Sequence, residues 1–191
     1  MKYPLLFCLI LMPASAALAE PVAYNVDPQH THPSFEADHM GGLSTWRGTF
    51  KKTTGKITLD KSANSGTVLV SINVASIDFG QDELSKEARG PEMFDSAKYP
   101  TATYKGTLGG FKDGAPTTVT GELTLHGVTK SLTLSIDSFK CMMHPMLKQE
   151  VCGADALGTF NRADFGVNYG QDYGFNQQVR LRIQVEAIKA S

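Results

Sequence analysis

The chain has 191 residues, 41% of them hydrophobic, and its 18 basic and 19 acidic residues give a net charge of −1 at pH 7. A chain of this size suits one domain with a substantial core. Because the charge is balanced and no basic run occurs, neither nucleic acid nor an anionic membrane surface is an expected partner.

The first nineteen residues have the pattern of a signal peptide. Lys2 precedes an apolar run of eight residues, Leu5 to Met12, and the small-residue sequence Ala17-Leu18-Ala19 follows. An apolar run of this length is too short to cross a bilayer. We therefore predict that residues 1–19 are removed by cleavage after Ala19, and that residues 20–191 form one exported, periplasmic domain.

Alternation of apolar and polar residues predicts eight strands in the mature chain. Phe35, Ala37 and His39 share one face of the first, and the second, 46–60, is expected to bend at Gly55. The other six are 67–75, one that begins at Tyr99, 119–125, one that follows the His126-Gly127 turn, one near 156–162, and 178–187. Eight strands with little helix are typical of a closed antiparallel barrel or a sandwich. An eight-stranded barrel encloses either packed side chains or one small ligand.

The segment 76–104 separates the third strand from the fourth. Within it, Asp82 to Arg89 favours a short helix that is acidic at its start and basic in its last turn. Gly90-Pro91 ends this helix, and Met93 and Phe94 follow as an apolar pair. This pattern predicts a short helical lid over the mouth of the β structure.

Four phrases carry a resemblance to a known family: SID at 76–78, MFDSAKYPTATY at 93–104, GELTLHGVTKSL at 121–132 and NRADFGV at 161–167. His30 and His39, placed before Gly41-Gly42, also match. The sequence resembles the YceI-like family over about residues 24–188. The resemblance implies a periplasmic, lipocalin-like barrel that holds a long isoprenoid or another amphiphilic lipid. Contact with a membrane would then be transient, for loading, and a monomer and a homodimer both remain open.

Methionine and aromatic side chains suit a flexible apolar ligand. The residues expected to contact such a ligand are Phe35, Met40, Trp46, Met93, Phe94, Phe160 and Phe165. His39 is expected to form hydrogen bonds to the head group or to have a structural role. The alternative, that the apolar residues form an ordinary core, also stays open.

The lid departs from the family pattern. Many members carry an Arg-Asp-x-His-Leu phrase where this chain has Leu-Ser-Lys-Glu-Ala at 84–88. This leaves Arg89 as the basic candidate in the lid for binding a head group. The loss of arginine and histidine weakens the case for an anionic pyrophosphate and favours a neutral head group, such as that of an isoprenoid quinone.

Two cysteines remain after signal-peptide cleavage, Cys141 and Cys152. In an exported protein with an even cysteine count they are expected to form a disulfide. In the chain-entropy model this bridge contributes about 3 kcal/mol to stability.

A metal site and an enzyme are the alternatives to a lipid carrier. The CMMHPM sequence at 141–146 contains soft ligands that suit copper(I), although a disulfide would remove the thiolate. His30, His32 and His39 are close in sequence, but strand periodicity does not place all three on one face. No G-x-S-x-G, no H-E-x-x-H and no glycine-rich loop before a helix occurs in the sequence. We therefore predict a binding protein with no catalytic residues, metal or cofactor, and rank copper handling second and an enzyme acting on a lipid third.

Overall fold

The computed structural model describes residues 20–191, which form eleven strands and one α-helix. The predicted signal peptide, residues 1–19, lies outside the described residues. The strands are β1 (Val22–Val26), β2 (Ser34–His39), β3 (Ser44–Phe50), β4 (Thr53–Asp60), β5 (Ser65–Asn73), β6 (Ile77–Asp78), β7 (Thr101–Gly109), β8 (Thr118–Leu125), β9 (Val128–Met143), β10 (Glu150–Asn161) and β11 (Gln178–Lys189), and the helix is α1 (Asp82–Ala88). Short 3₁₀ helices occupy Val74–Ser76, Arg162–Phe165 and Gln171–Tyr173. Within residues 20–191, no helix has the length and hydrophobicity needed to span a membrane.

Eight of the strands form a closed antiparallel barrel in the order β1, β4, β5, β7, β8, β9, β10, β11. The ring closes at β1, where Tyr24 lies opposite Ile57 of β4 on one side and Lys189 of β11 on the other. Closure removes the exposed strand edges that an open sheet would present to other chains. The predicted eight-stranded antiparallel barrel is confirmed.

Three strands outside this ring extend the wall at one end. The first half of β11 pairs with β2 rather than β1, β2 pairs with β3, and β3 pairs with β6. The predicted second strand is therefore two strands, β3 and β4, and the chain breaks at Lys51-Lys52 instead of bending at Gly55. Hydrogen bonds from another part of the chain hold this break in place. The N–H groups of Lys51 and Lys52 donate to the carbonyl oxygen and the Oγ of Ser76, respectively. Gly55 lies inside β4, where a Cβ atom would meet the carbonyl oxygen of Leu69 at 2.5 Å.

Strand periodicity decides which side chains enter the barrel. Along β11, Val179, Leu181, Ile183 and Val185 face the interior, and the arginines between them face outward.

The turn between β8 and β9 consists of His126 and Gly127. Both residues have positive φ, as in two-residue hairpin turns.

The end of the barrel far from the lid is closed by packed side chains and two cross-links. Tyr24 is 2% exposed, and its hydroxyl donates to the carboxylate of Glu150 at 3.0 Å. Burial, followed by this carboxylate, raises the pKa of Tyr24 to about 12. Cys141 of β9 lies directly opposite Cys152 of β10, and the two form the predicted disulfide.

The lid covers the other end. Helix α1 ends at Ala88, one residue before the predicted end, and buries Leu84, Ser85 and Ala88. The hydroxyl of Ser85 donates to the carbonyl of Gln81 and accepts from the N–H of Phe79, which fixes the helix against the end of β6. The mouth of the barrel is therefore framed by α1, the β2–β3 hairpin and the 162–177 segment.

Candidate functional site

The barrel interior contains an elongated cavity of about 230 Å³. Every barrel strand in the described chain except β1 contributes to its wall, which β2 and β3 extend towards the lid. A cavity of about 150 Å³ in a protein core accepts benzene, so this larger cavity accommodates part of an isoprenoid chain. The shape and size suit the end of a flexible chain rather than a compact polar metabolite.

The wall is almost wholly apolar because its polar groups are bonded within the protein. Tyr104 of β7 faces the cavity and is 7% exposed. Its hydroxyl lies 2.9 Å from the carbonyl oxygen of Leu132 and 3.2 Å from that of Val119. Burial raises the pKa of Tyr104 to about 12, so the phenol stays neutral. A ligand in the cavity therefore meets a hydrocarbon-like environment.

Five of the residues predicted to contact a ligand lie on this wall: Phe35, Trp46, Met93, Phe94 and Phe160. Phe35 of β2 packs against Phe50 and Phe79 with ring centroids 5.8 and 5.5 Å apart. Phe94 packs edge-on against Phe50 at 6.0 Å. The lid segment and the wall extension thus meet through aromatic rings at the mouth of the cavity.

His39 and Met40, which were expected to contact the ligand or its head group, lie off the cavity wall. The strand β2 ends at His39, and Met40 begins the hairpin turn with a φ of 52° and a side chain 52% exposed. His39 stacks on Trp46 with ring centroids 4.3 Å apart, and it supports that indole instead of lining the cavity itself.

Arg89 and Phe165 also lie off the wall. The guanidinium of Arg89 donates to the carbonyl of Ile77 because the residue caps the C-terminus of α1 and reaches back to β6. Phe165 is 2% exposed and packs edge-on behind Phe160 at 5.3 Å, since the 3₁₀ helix over 162–165 turns the chain away from the barrel axis.

Two charged residues line the cavity, Asp38 and Arg162, and sequence reasoning missed both. The carboxylate of Asp38 accepts hydrogen bonds from the N–H groups of Gly41, Gly42 and Asn176. These bonds, that of Asn176 first, hold the pKa of Asp38 below its usual range. Asp38 therefore joins the β2–β3 hairpin to the 162–177 segment.

Arg162 also lines the cavity and is 9% exposed. Its guanidinium donates to the carbonyl oxygens of Val167 at 3.0 Å and Tyr169 at 2.6 Å. Burial lowers the pKa of this guanidinium, and the charge of Asp38 opposes the shift. The hydroxyl of Tyr169 in turn donates to Glu87 of α1, so the 162–177 segment is linked to the lid.

Comparison with known proteins agrees with this architecture. The model of the YceI-like domain matches residues 24–187. The chain belongs to the YceI-like family. Protein YceI of Escherichia coli O6:H1 is 34% identical over 187 residues, which is 97% of this chain and 95% of that protein. Protein YceI of Salmonella agona is 33% identical over 185 residues, covering 96% of this chain and 94% of that protein.

Solved structures show the same fold in other YceI-like barrels. BcnA of Burkholderia cenocepacia superposes with a TM-score of 0.67 at 21% identity, covering 84% of this chain and 98% of that one. A domain of Saccharophagus degradans, described as polyisoprenoid binding and implicated in plant cell wall breakdown, gives a TM-score of 0.63 at 15% identity, covering 88% and 99%. The YCEI protein of Campylobacter jejuni gives 0.65 at 23%, covering 78% and 88%.

The geometry of this YceI-like chain offers little support for a copper site. Among residues 20–191, one group of three metal-ligating side chains brings its donor atoms within 4.8 Å: Cys141, Glu150 and Cys152. Both cysteines are oxidised in the disulfide, so neither offers a thiolate to a metal ion. The Nδ1 atom of His144 accepts from the N–H groups of Met146 and Leu147, which orders the hairpin turn. His30, the other candidate, pairs with Asp27 at 2.7 Å.

Proposed function

We propose that this protein is a periplasmic carrier that holds the chain of a long isoprenoid lipid in the barrel cavity. The observation that supports this most is the cavity itself, an elongated apolar space between the lid and a closed end. Burial supplies the affinity. Each CH₂ group removed from water contributes about 0.8 kcal/mol, so each isoprene unit of five carbons that the cavity buries contributes about 4 kcal/mol before the cost of association.

Three further observations support the proposal. A structural neighbour is described as polyisoprenoid binding. The signal-peptide pattern and the disulfide suit an oxidising compartment outside the cytoplasm. In the described chain, the cavity wall includes no histidine, cysteine or lysine, so a nucleophile activated by a neighbouring base has no evident place there. We therefore favour storage or transport over catalysis.

An isoprenoid quinone such as ubiquinone is our preferred ligand among the isoprenoids. Trp46, Phe79 and Phe175 all reach the cavity near its mouth, and flat rings pack well against aromatic faces and edges. Leu84 and Glu87 also stand where the family phrase has the arginine and histidine that would favour a pyrophosphate.

Extraction of the natural ligand tests this function. The protein is purified from its own host, extracted with organic solvent, and the extract is analysed by mass spectrometry. We expect a prenylated lipid in stoichiometric amount. An unrelated exported protein purified in parallel is the control for lipid carried over from membranes. Recovery of no such lipid, together with no uptake of added polyprenols or quinones, contradicts the proposal.

A further inference from the structure

Only one of the two charged side chains on the cavity wall can donate hydrogen bonds to a ligand, because an ionised carboxylate is an acceptor only. Asp38 accepts three backbone N–H bonds, which occupy both of its carboxylate oxygens. Arg162 carries five N–H donors and uses two hydrogen bonds, to Val167 and Tyr169. The guanidinium therefore retains donors that no other group in the described chain receives.

The charge of Arg162 also lacks a direct counter-ion. Within residues 20–191, the ion pairs closer than 4.0 Å involve other residues, and Arg162 takes part in none of them. A guanidinium that is 9% exposed and borders an apolar cavity has lost much of its hydration. Buried charged groups are usually satisfied by a partner of opposite charge or by strong acceptors.

The position of Arg162 suits one end of a lipid. It follows β10 at the end of the barrel that the lid covers, and Tyr169, one of its two acceptors, is bonded to Glu87 of α1. The rest of the chain within the cavity would extend past Phe160 and Ala156 towards the closed end. A head group placed at the mouth would thus meet a charged side chain with spare donors.

We propose that Arg162 binds the head group of the ligand, and that it selects isoprenoids whose head carries an oxygen acceptor, such as a phosphate or a quinone carbonyl. This inference rests on the proposed lipid-binding function. The two carbonyl bonds hold the planar guanidinium in place, and its remaining N–H groups donate to the head. A chain without such a head would leave these donors unpaired.

Three probes that share one C20 isoprenoid chain test the inference. One carries a phosphate, one a benzoquinone, and one is the plain hydrocarbon. A hydrogen bond to a buried charged group corresponds to about a 10- to 100-fold change in Kd. We therefore expect the parent to prefer at least one head-bearing probe over the hydrocarbon by that factor, and the favoured probe identifies the head.

The variant Arg162→Gln should lose this preference, so that its Kd values for the head-bearing probes and for the hydrocarbon become similar. The matched control is Arg180→Gln, which removes the same charge from an exposed position of β11 and should keep the preference. An Arg162→Gln protein that keeps the parent's preference overturns the inference, as does a parent that shows no preference. Failure of the parent to bind any of the probes contradicts the carrier function itself.

Arg162 also anchors the 162–177 segment, so a measurement on the unmodified protein is needed in case the variant does not fold. The arginine Nε–H resonances of the ¹⁵N,¹³C-labelled parent are recorded with each probe, and the Arg162 signal is assigned by through-bond correlation to its own backbone amide. We expect that signal to shift with a head-bearing probe well beyond its change with the hydrocarbon. Equal shifts with all three probes overturn the inference.

Discussion

The substitution Ala156→Phe tests whether the size of the cavity limits the length of the lipid chain that the protein binds. Ala156 is 5% exposed on β10, and its Cβ faces the middle of the cavity. The new ring adds about six carbon atoms to a cavity of about 230 Å³. It should therefore exclude about one isoprene unit of five carbons.

The expected loss follows from the area that no longer becomes buried. Five carbon groups at about 0.8 kcal/mol each give about 4 kcal/mol, or about a thousandfold in Kd, as an upper limit. The loss should depend on length. A C20 prenol should lose more affinity than a C10 prenol, because a shorter chain conflicts less with the new ring. Because the ring enters a void, the unliganded protein should not lose stability through overpacking.

Titration of C10, C15 and C20 prenols into the parent and the variant, followed by tryptophan fluorescence or calorimetry, measures this shift. The control is Thr159→Phe on the same strand, where the side chain faces outward and the prenol affinities should be unchanged. Equal losses for all three lengths, or no loss for C20, would refute the idea that the chain lies along β10.

Three other predictions concern the lid, the disulfide and the mouth. Met93→Asp combined with Phe94→Asp should greatly reduce lipid retention, since a carboxylate placed against an alkyl chain costs several kcal/mol. The circular dichroism spectrum of this double variant should be unchanged. The control is Ala97→Asp, at an exposed site of the same segment, which should retain lipid. Replacement of both bridged cysteines by serine should lower the free energy of unfolding by about 3 kcal/mol, and the unreduced, unfolded parent should contain no titratable thiol. Asp38→Asn should be less stable than the parent at neutral pH. Because the folded pKa of Asp38 is lowered, this difference is complete above its unfolded pKa of about 3.9 and disappears as the pH falls through the folded value, as parallel denaturant titrations would show.

The fold was predictable where the sequence alternates cleanly and turns are marked. The alternation of Val179 to Val185 identified β11, and His126-Gly127 identified the β8–β9 turn. The strand β1 was missed although Val22, Tyr24 and Val26 alternate, because this run is short and stands alone. The break at Lys51-Lys52 could not be predicted, since it depends on hydrogen bonds to Ser76.

The site was predictable for aromatic residues within strands and less so at strand ends. The alternation of inward and outward side chains along β2 placed Phe35 on the wall. This alternation stops at the end of β2, where Met40 enters a turn. Arg89 was selected because it is basic and lies in the lid, whereas a helix-end arginine also has backbone carbonyls to bind. Arg162 could not be placed by strand alternation, because β10 ends at Asn161 and Arg162 begins a 3₁₀ helix.

The pairing of β1 with β11 has a mechanical consequence. These strands lie at opposite ends of the described chain, and Val26 pairs with Ala187, so the hydrogen-bonded ring is completed only when distant parts of the chain meet. Contacts of such sequence separation form slowly. The strands are antiparallel, and the start of β1 lies beside the end of β11. A force that separates the two termini therefore opens this ladder one hydrogen bond after another. We therefore expect the barrel to unfold cooperatively on heating, but to open at a low force when the two chain termini are pulled apart.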